Sequence, residues 1–154
     1  MKIRLVAVGK PRDAEAIALH DRYAERIRKL GVTYETDWVQ EVRPGGRYSD
    51  EHVREREGRL LAEKLGDRGT TIALDRRGRS LASEELSRQL EGWARPRATF
   101  LIGGPLGLAP SVVERADSSW SLSELTLPHE LARVVLAEQL YRALTLLRGI
   151  PYHK

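Results

Sequence analysis

Residues 98–108 have the sequence ATFLIGGPLGL, in which a short apolar stretch runs directly into a glycine-rich turn. The apolar part does not alternate with polar residues, which predicts a strand buried on both faces, as in a parallel sheet. The adjacent glycines Gly103 and Gly104 lack a Cβ, so a ligand can approach the backbone closely where this strand ends. A tight turn that requires positive φ explains the same glycines equally well. The stretch therefore predicts a buried strand and leaves open whether its turn binds a ligand.

Apolar strands alternate with amphipathic helices on both sides of this stretch. Strands are predicted at residues 2–8, 33–42, 70–74, 98–102 and 120–122. The first helix is predicted to follow Asp13, which can cap it, and to run to about Leu30. Further helices are predicted over residues 49–65, from Ser83, from about Pro110, and from Pro128 to Arg148. This alternation predicts an α/β fold with a mainly parallel sheet flanked by helices. Because no internal repeat or linker interrupts it, residues 1–154 are expected to form a single domain.

Local signals add detail between these elements. Alternation in residues 33–42 predicts a strand with one solvated face, which would include Val39, whereas Trp38 would lie on the other face. The segment DRRG at residues 75–78 is predicted to turn the chain, and Ser83 is predicted to cap the following helix. The segment RPGGR at residues 43–47 is predicted to form a flexible, cationic loop.

The composition is typical of a globular protein with a modest basic surplus. Of its 154 residues, 41% are hydrophobic and 31% are charged, and the net charge is +4. The whole surplus lies in residues 1–98, which suits a polyanionic partner such as RNA, although many soluble proteins carry a similar charge. The chain has no cysteine, which excludes disulfides and cysteine-ligated zinc and fits a cytosolic protein. No apolar run approaches the roughly 20 residues of a membrane span.

The last predicted helix is apolar around most of its circumference. Such a helix requires burial on more than one side. In a chain of this size we expect a second copy to cover the additional side, and a two-fold homodimer is the commonest arrangement. Deep burial within a monomer is the alternative.

Several familiar ligand-binding motifs are absent from the sequence. The glycine turn lacks the G-x-G-x-x-G spacing of dinucleotide-binding proteins, and no G-K-[ST] of a P-loop occurs. His129 and Glu130 begin the zinc-protease motif H-E-x-x-H, but Arg133 occupies the place of the second histidine. The histidines show no metal-ligand spacing, so no metal site is expected.

Three loops leave the carboxyl ends of predicted strands, where ligands bind in open α/β sheets. They follow Leu74, Ile102 and Leu122. In the third loop, backbone amides and hydroxyls suit the edge of an adenine, and Leu125 and Leu127 could enclose its ring. The tail at residues 151–154 combines an aromatic ring, an imidazole and an ammonium, which suits stacking on a base and contact with phosphate. A purely structural tail is the alternative.

Five segments together resemble one known family. They are KIRLVAVGK (residues 2–10), LIGGPLGL (101–108), SWSLSELTLPH (119–129), RVVLAEQLYRA (133–143) and PYHK (151–154). Their order and spacing are similar to those of the bacterial ribosomal RNA large-subunit methyltransferase H family, within the SPOUT superfamily of knotted methyltransferases. The resemblance extends from one end of the chain to the other.

The resemblance implies an activity and an assembly. Members of this family use S-adenosylmethionine to methylate N3 of a pseudouridine in 23S ribosomal RNA, on the assembled ribosome in the cytoplasm. They are homodimers with each active site at the subunit interface. The C-terminal part of their α/β fold forms a trefoil knot, which general rules of topology would disfavour.

The resemblance also implies the site residues. The cofactor pocket corresponds to Leu74, Gly104 with its neighbour Gly103, Ser123, Glu124, Leu125, Thr126, Leu127 and Pro128. The candidates for catalysis and RNA contact are His129, Arg142, Tyr152 and His153. N3 of a uracil-type ring must lose a proton. The groups available to accept it are His129, His153 and Glu138, while Arg142 or Arg133 could hold negative charge; the base and the role of the Glu124 side chain stay unassigned.

Two other functions remain as alternatives. A ribosome-binding assembly module that uses no cofactor would share the fold and the basic surface. A nucleotide hydrolase is disfavoured because the predicted loops lack a pair of acids or a set of metal ligands.

Overall fold

The computed structural model describes residues 1–43, 47–66 and 68–154, in which strands and helices alternate along the chain. The elements are β1 (Lys2–Val8), α1 (Ala14–Lys29), β2 (Thr33–Val39), α2 (Asp50–Lys64), β3 (Thr70–Ser80), α3 (Ser83–Trp93), β4 (Ala98–Ile102), α4 (Pro110–Arg115), β5 (Ser118–Ser121) and α5 (His129–Leu147). The predicted α/β class is confirmed. The centre of the predicted cationic loop, residues 44–46, lies outside the described residues.

The strands form one sheet in the order β2-β1-β4-β3-β5, and every neighbouring pair is parallel. All five residues of β4 are buried, so the strand predicted from residues 98–102 lies at the centre of the sheet. Because parallel strands end at the same edge, the loops that follow β4 and β5 come together there, beside residues 75–78 of β3.

The sheet separates two apolar cores. Alternate residues of β1 point to opposite faces, so Ile3 and Leu5 belong to one core and Val6 and Val8 to the other. The larger core is covered by α1, α3 and α5, and the smaller one by α2 and α4. Coverage of both faces explains why the central strands are apolar without alternation.

Helix α5 packs against both α1 and α3. Contact on two sides buries its apolar residues, which include Leu136, Leu140 and Leu144. Burial within the chain thus accounts for much of the apolar character of α5, whereas Leu131 stays 45% exposed. The homodimer remains a prediction. No helix among the described residues is both long and apolar enough to cross a membrane.

Strand β2 departs from its predicted faces. It ends at Val39, which is buried, whereas Trp38 is 45% exposed. The predicted solvated face was therefore wrong at Val39, because this residue joins the smaller core with Leu61 of α2. Trp38 lies on an edge strand, where a large side chain is less completely covered.

Strand β3 is longer than predicted, and the predicted turn at residues 75–78 is wrong. Its pairing with β5 shifts register, so that Leu74 and Arg79 both pair with Trp120 and the residues between them bulge out. A Cβ at Gly78 would lie 2.7 Å from the backbone of Trp120, so glycine is required where the bulge crosses β5. A four-residue bulge of this kind resembles a turn in sequence.

Of the two predicted helix caps, the one at Asp13 is confirmed and the one at Ser83 is wrong. The side chain of Asp13 accepts a hydrogen bond from the N–H of Ala16 at 2.7 Å, which confirms it as a cap. Ser83 is instead the first residue of α3, and Ala82 occupies the capping position. The Ser83 hydroxyl donates to Oε1 of Gln139 on α5 at 3.0 Å, so the prediction of Ser83 as a cap is wrong.

Candidate active site

A cleft of about 880 Å³ opens at the carboxyl edge of the sheet. Its walls are the bulge of β3, the loops that follow β4 and β5, and the first turn of α5, with Arg54 of α2. This volume is typical of pockets that bind cofactors and other small molecules. Residues predicted to bind a cofactor that line the cleft are Leu74, Gly103, Gly104, Ser123, Leu125, Thr126, Leu127 and Pro128.

The glycine turn after β4 is closely packed. Gly107 has a φ of 80°, and its N–H donates to the carbonyl of Gly104 at 2.9 Å. Gly103 and Gly104 do not have positive φ. A Cβ at Gly103 would lie 2.5 Å from the backbone of Gly107, and one at Gly104 would lie 3.1 Å from Val8 and Glu57. Glycine is therefore required at Gly103, where the turn packs against its own backbone, while a side chain at Gly104 would press on Val8 of β1 and Glu57 of α2.

The loop after β5 is held by its own serine side chains. Ser121 Oγ donates to the carbonyl of Ser123 at 3.0 Å, and Ser123 Oγ accepts from the N–H of Leu125 at 2.9 Å. Leu125 is 78% exposed although it is large and apolar. Glu124 is exposed and does not line the cleft. The loop thus offers apolar side chains and backbone groups to a ligand, but not the Glu124 carboxylate.

The first turn of α5 lies between the cleft and the loop that follows β1. His129 lines the cleft. The Glu130 carboxylate accepts hydrogen bonds from the N–H groups of Arg12 and Asp13, the latter at 3.0 Å. These two hydrogen bonds lower the pKa of Glu130. The loop after β1 is therefore fixed to the same helical turn that carries His129.

Arg133 is buried one turn further along α5. Its Nη2 donates to the carbonyl of Val8 at 2.8 Å and also to the carbonyl of Gly9. The side chain does not line the cleft, and burial lowers its pKa. Arg133 is a predicted candidate for holding negative charge on the substrate, but its guanidinium instead binds backbone carbonyls at the end of β1.

A second polar cluster lies on the C-terminal half of α5 and on the tail. Glu138 Oε1 accepts from Nη2 of Arg142 at 2.6 Å and from the hydroxyl of Tyr152 at 3.1 Å. The Arg142 guanidinium lies 4.7 Å from the centre of the Tyr152 ring. His153 Nε2 lies 3.0 Å from Oε1 of Glu84 on α3. The structure therefore brings Arg142, Tyr152 and His153 together, but none of them lines the cleft of the same chain.

Hydrogen bonding and burial keep protons on Arg142 and Tyr152. Hydrogen bonding to Glu138 raises the pKa of Arg142. Burial, followed by hydrogen bonds to Tyr23 and Glu138, raises the pKa of the Tyr152 phenol well above its usual value. At neutral pH both groups are hydrogen-bond donors, so they suit binding to an anion or a base edge rather than removal of a proton.

Sequence reasoning missed several charged residues at the cleft. Arg54, Arg76 and Arg77 line it, although residues 75–78 were predicted only as a turn. Glu57 of α2 is buried beside Gly104. The two consecutive arginines that follow the apolar residues 70–74 were a usable signal for a ligand-binding segment. The spacing of α2 was a usable signal for Glu57, which lies four residues from both Val53 and Leu61 and so shares their buried face.

Comparison with known proteins assigns the chain to a family. Residues 1–153 match the family model described as predicted SPOUT methyltransferase. The chain belongs to the SPOUT methyltransferase family. This confirms the family expected from the five sequence segments, and SPOUT methyltransferases use S-adenosylmethionine as the methyl donor.

Relatives of this SPOUT methyltransferase match it over nearly their full length. The protein named ribosomal RNA large subunit methyltransferase H of Rubrobacter xylanophilus is 49% identical, with 97% of this chain and 96% of the relative covered. The protein of the same name from Thioalkalivibrio sulfidiphilus is 40% identical, with 100% and 99% covered.

Solved structures share the fold of this SPOUT methyltransferase at low sequence identity. A probable methylase family protein from Haemophilus influenzae has a TM-score of 0.60 and 13% identity, over 99% of this chain and 70% of that one. A probable methyltransferase from Bordetella pertussis has a TM-score of 0.55 and 18% identity, over 92% and 95%. These likenesses support the parallel α/β architecture, and the trefoil knot stays a prediction.

Proposed function

We propose that this protein uses S-adenosylmethionine to methylate N3 of a pseudouridine in 23S ribosomal RNA, on the assembled ribosome in the cytoplasm, with residues 1–154 as one domain. The names of relatives at 49% and 40% identity support the RNA of the large ribosomal subunit as the substrate. The observation that carries the proposal is the cleft in which the bulge of β3 meets the loops that follow β4 and β5. The pseudouridine and its N3 are supported by the resemblance of the five sequence segments.

The chemistry of the cleft fits this cofactor. Leu74 and Leu127 supply apolar walls that suit an adenine ring, and the backbone of residues 123–128 supplies hydrogen-bonding groups for its edge. The cofactor supplies a methyl group already activated by the sulfonium. The residues of the chain therefore have to bind and orient the cofactor and the RNA and to exclude water; they do not have to activate the methyl donor.

Methylation at N3 requires a group that accepts the N3 proton. Of the candidates, His129 lines the cleft. Glu138 is engaged by Arg142 and Tyr152, and His153 lies against Glu84. We therefore propose His129 as the first candidate for the general base.

We propose a homodimer in which the tail of one protomer completes the cleft of the other. Arg142, Tyr152 and His153 lie outside the cleft of their own chain, so a partner must supply them if they are to contact RNA there. Large apolar side chains are available for an interface, because Leu125 and Ile150 are 78% and 38% exposed. Tyr152 and His153 would then stack on or bind the RNA.

Calorimetry and mass spectrometry test the activity. The pure protein should bind S-adenosylmethionine, and it should add a methyl group to 23S RNA in ribosomes from a strain that lacks this activity. Nucleoside analysis should then show N3-methylpseudouridine. Absence of binding at millimolar cofactor would argue against a methyltransferase, and methylation of another nucleotide would refute the pseudouridine assignment alone.

Substitution of Gly104 separates the enzyme from an assembly module. A Cβ at this position meets side-chain atoms of Val8 and Glu57 at 3.1 Å, so the larger side chain of Gly104→Val must displace these neighbours or the turn. Cofactor binding should weaken at least tenfold, on the order of the 1.4 kcal/mol that a tenfold change represents. Gly92→Ala on α3 is the control, since a Cβ there meets nothing within 4 Å. An assembly module without a cofactor predicts unchanged ribosome association and phenotype in Gly104→Val.

A further inference from the structure

Arginines dominate the charged lining of the cleft. Arg54 comes from α2, and Arg76 and Arg77 come from the bulge in β3. Asp75 is the carboxylate among the lining residues. The cleft is therefore cationic at the place where the loops open to solvent.

The bulge holds two of these arginines on a fixed backbone. Gly78 packs directly on β5, since a Cβ there would lie 2.7 Å from the backbone of Trp120. Asp75 Oδ1 accepts from the N–H of Arg77 at 2.8 Å. This packing orders the backbone of the bulge, while the side chains of Arg76 and Arg77 are exposed. A fixed backbone reduces the entropy lost when these side chains bind a ligand.

The guanidinium groups are available to an external anion. Nε of Arg77 lies 3.3 Å from Asp75, but an ion pair with an arginine that is 70% exposed is weak. Within the described ranges, no carboxylate oxygen lies within 4.0 Å of a side-chain nitrogen of Arg54 or Arg76. Arg79 differs from them, because it pairs with Glu85 of α3.

The net charges of the two proposed ligands, S-adenosylmethionine and RNA, indicate which of them these arginines bind. S-adenosylmethionine carries a sulfonium and an ammonium against one carboxylate, so a cluster of arginines opposes its net charge. Each RNA phosphate is an anion whose oxygens match the two-pronged guanidinium. We propose that Arg54, Arg76 and Arg77 form a phosphate-binding rim that docks the backbone of the substrate RNA at the mouth of the cleft. This inference rests on the proposed function.

Kinetics with matched variants test the phosphate-binding rim. The variants are Arg76→Ala/Arg77→Ala and Arg54→Ala, and the control is Arg95→Ala. Arg95 is 74% exposed and paired with Glu91, much as Arg77 is exposed and paired with Asp75, but it lies before β4 and away from the cleft. The measurements are the Kd of S-adenosylmethionine, the KM for ribosomes, and ribosome binding as a function of salt.

The double variant should bind the cofactor within about twofold of wild type and show a KM for ribosomes raised at least tenfold. The slope of log affinity against log salt should fall by about two, roughly one for each RNA phosphate that an arginine no longer neutralises. Arg76→Lys/Arg77→Lys should restore most of the salt slope, because the charge is retained. The control should match wild type throughout.

Other results overturn the inference. Weaker cofactor binding with an unchanged KM for ribosomes would show that the arginines hold the cofactor carboxylate instead. Unchanged KM and salt slope in a double variant that melts like wild type would show that the rim contacts no phosphate. If wild type itself fails to methylate ribosomes, the proposed function fails, whereas altered ribosome binding by the variants would still report on the rim.

Discussion

Glu57 is a buried carboxyl group beside the glycine turn. Its Oε1 accepts from the N–H of Val42 at 2.9 Å, and its Oε2 is buried without a hydrogen-bond partner among the described residues. Both oxygens lie close to Gly104, within 3.3 Å of where a Cβ would be. Burial raises the pKa of Glu57; the N–H of Val42 opposes this rise, and the nearby Glu41 adds to it.

Glu57→Gln should therefore change the pH dependence of stability. Because the folded-state pKa lies above 4.5, the folded protein binds the proton more tightly than the unfolded chain does. The resulting stabilisation is complete below pH 4.5 and is lost as the pH rises through the folded-state pKa. Gln keeps an acceptor for Val42 but does not ionise. Urea unfolding should show the variant gaining stability relative to wild type as the pH is raised from acid to neutral.

The control for this variant is Glu63→Gln, which changes an exposed carboxyl group on the same helix. Its difference from wild type should be small at every pH. A constant difference between Glu57→Gln and wild type across the same pH range would show that Glu57 ionises as it does in the unfolded chain.

At the scale of elements, the first turns of α5 join the cleft to β1. Arg133→Met should lower the free energy of unfolding by about 2 to 3 kcal/mol, because buried carbonyl groups lose a charged donor. Hydrogen exchange in the loop after β1 should become faster. Arg148→Met, which changes an exposed arginine at the end of the same helix, should stay within about 0.5 kcal/mol of wild type. Equal losses in both variants would contradict a specific role for Arg133.

The elements that sequence predicts well are those whose pattern depends on neighbours along the chain. Helix α1 has the predicted cap at Asp13, and β4 is the predicted buried strand. The bulge at residues 75–78 could not be predicted, because it depends on the register between β3 and the distant β5. The burial of Val39 likewise depends on packing against α2 rather than on alternation along the strand. Contacts between distant segments decided each failure.

At the scale of the whole molecule, the proposed homodimer makes a prediction about mixed subunits. Gly104→Val should disrupt cofactor binding in the cleft, and His153→Ala should remove an RNA contact of the tail, so each variant alone should be inactive. If sites are shared between subunits, each mixed dimer retains one intact site, and an equal mixture should recover about a quarter of wild-type activity. Sedimentation should show particles of twice the 17.4 kDa chain mass. No recovery after subunit exchange would place the whole site in one chain.

The candidate site was predictable to the extent that it consists of strand ends. The glycine turn and the loop at residues 123–128 are continuous in sequence, and both line the cleft. Their separation from the tail cluster was not predictable, because it depends on where α5 carries Tyr152 and His153. The role of Arg133 was also hidden, since its partners are backbone carbonyls that have no sequence signature.

The hydrogen bond between Arg133 and Val8 has a consequence for the order in which the protein folds. It joins residues 125 positions apart, so the end of β1 cannot make this contact until α5 has formed. Such long-range closure is slow compared with local folding. Docking of α5 onto the end of β1 is therefore a late step in folding, and the cleft is complete only after it.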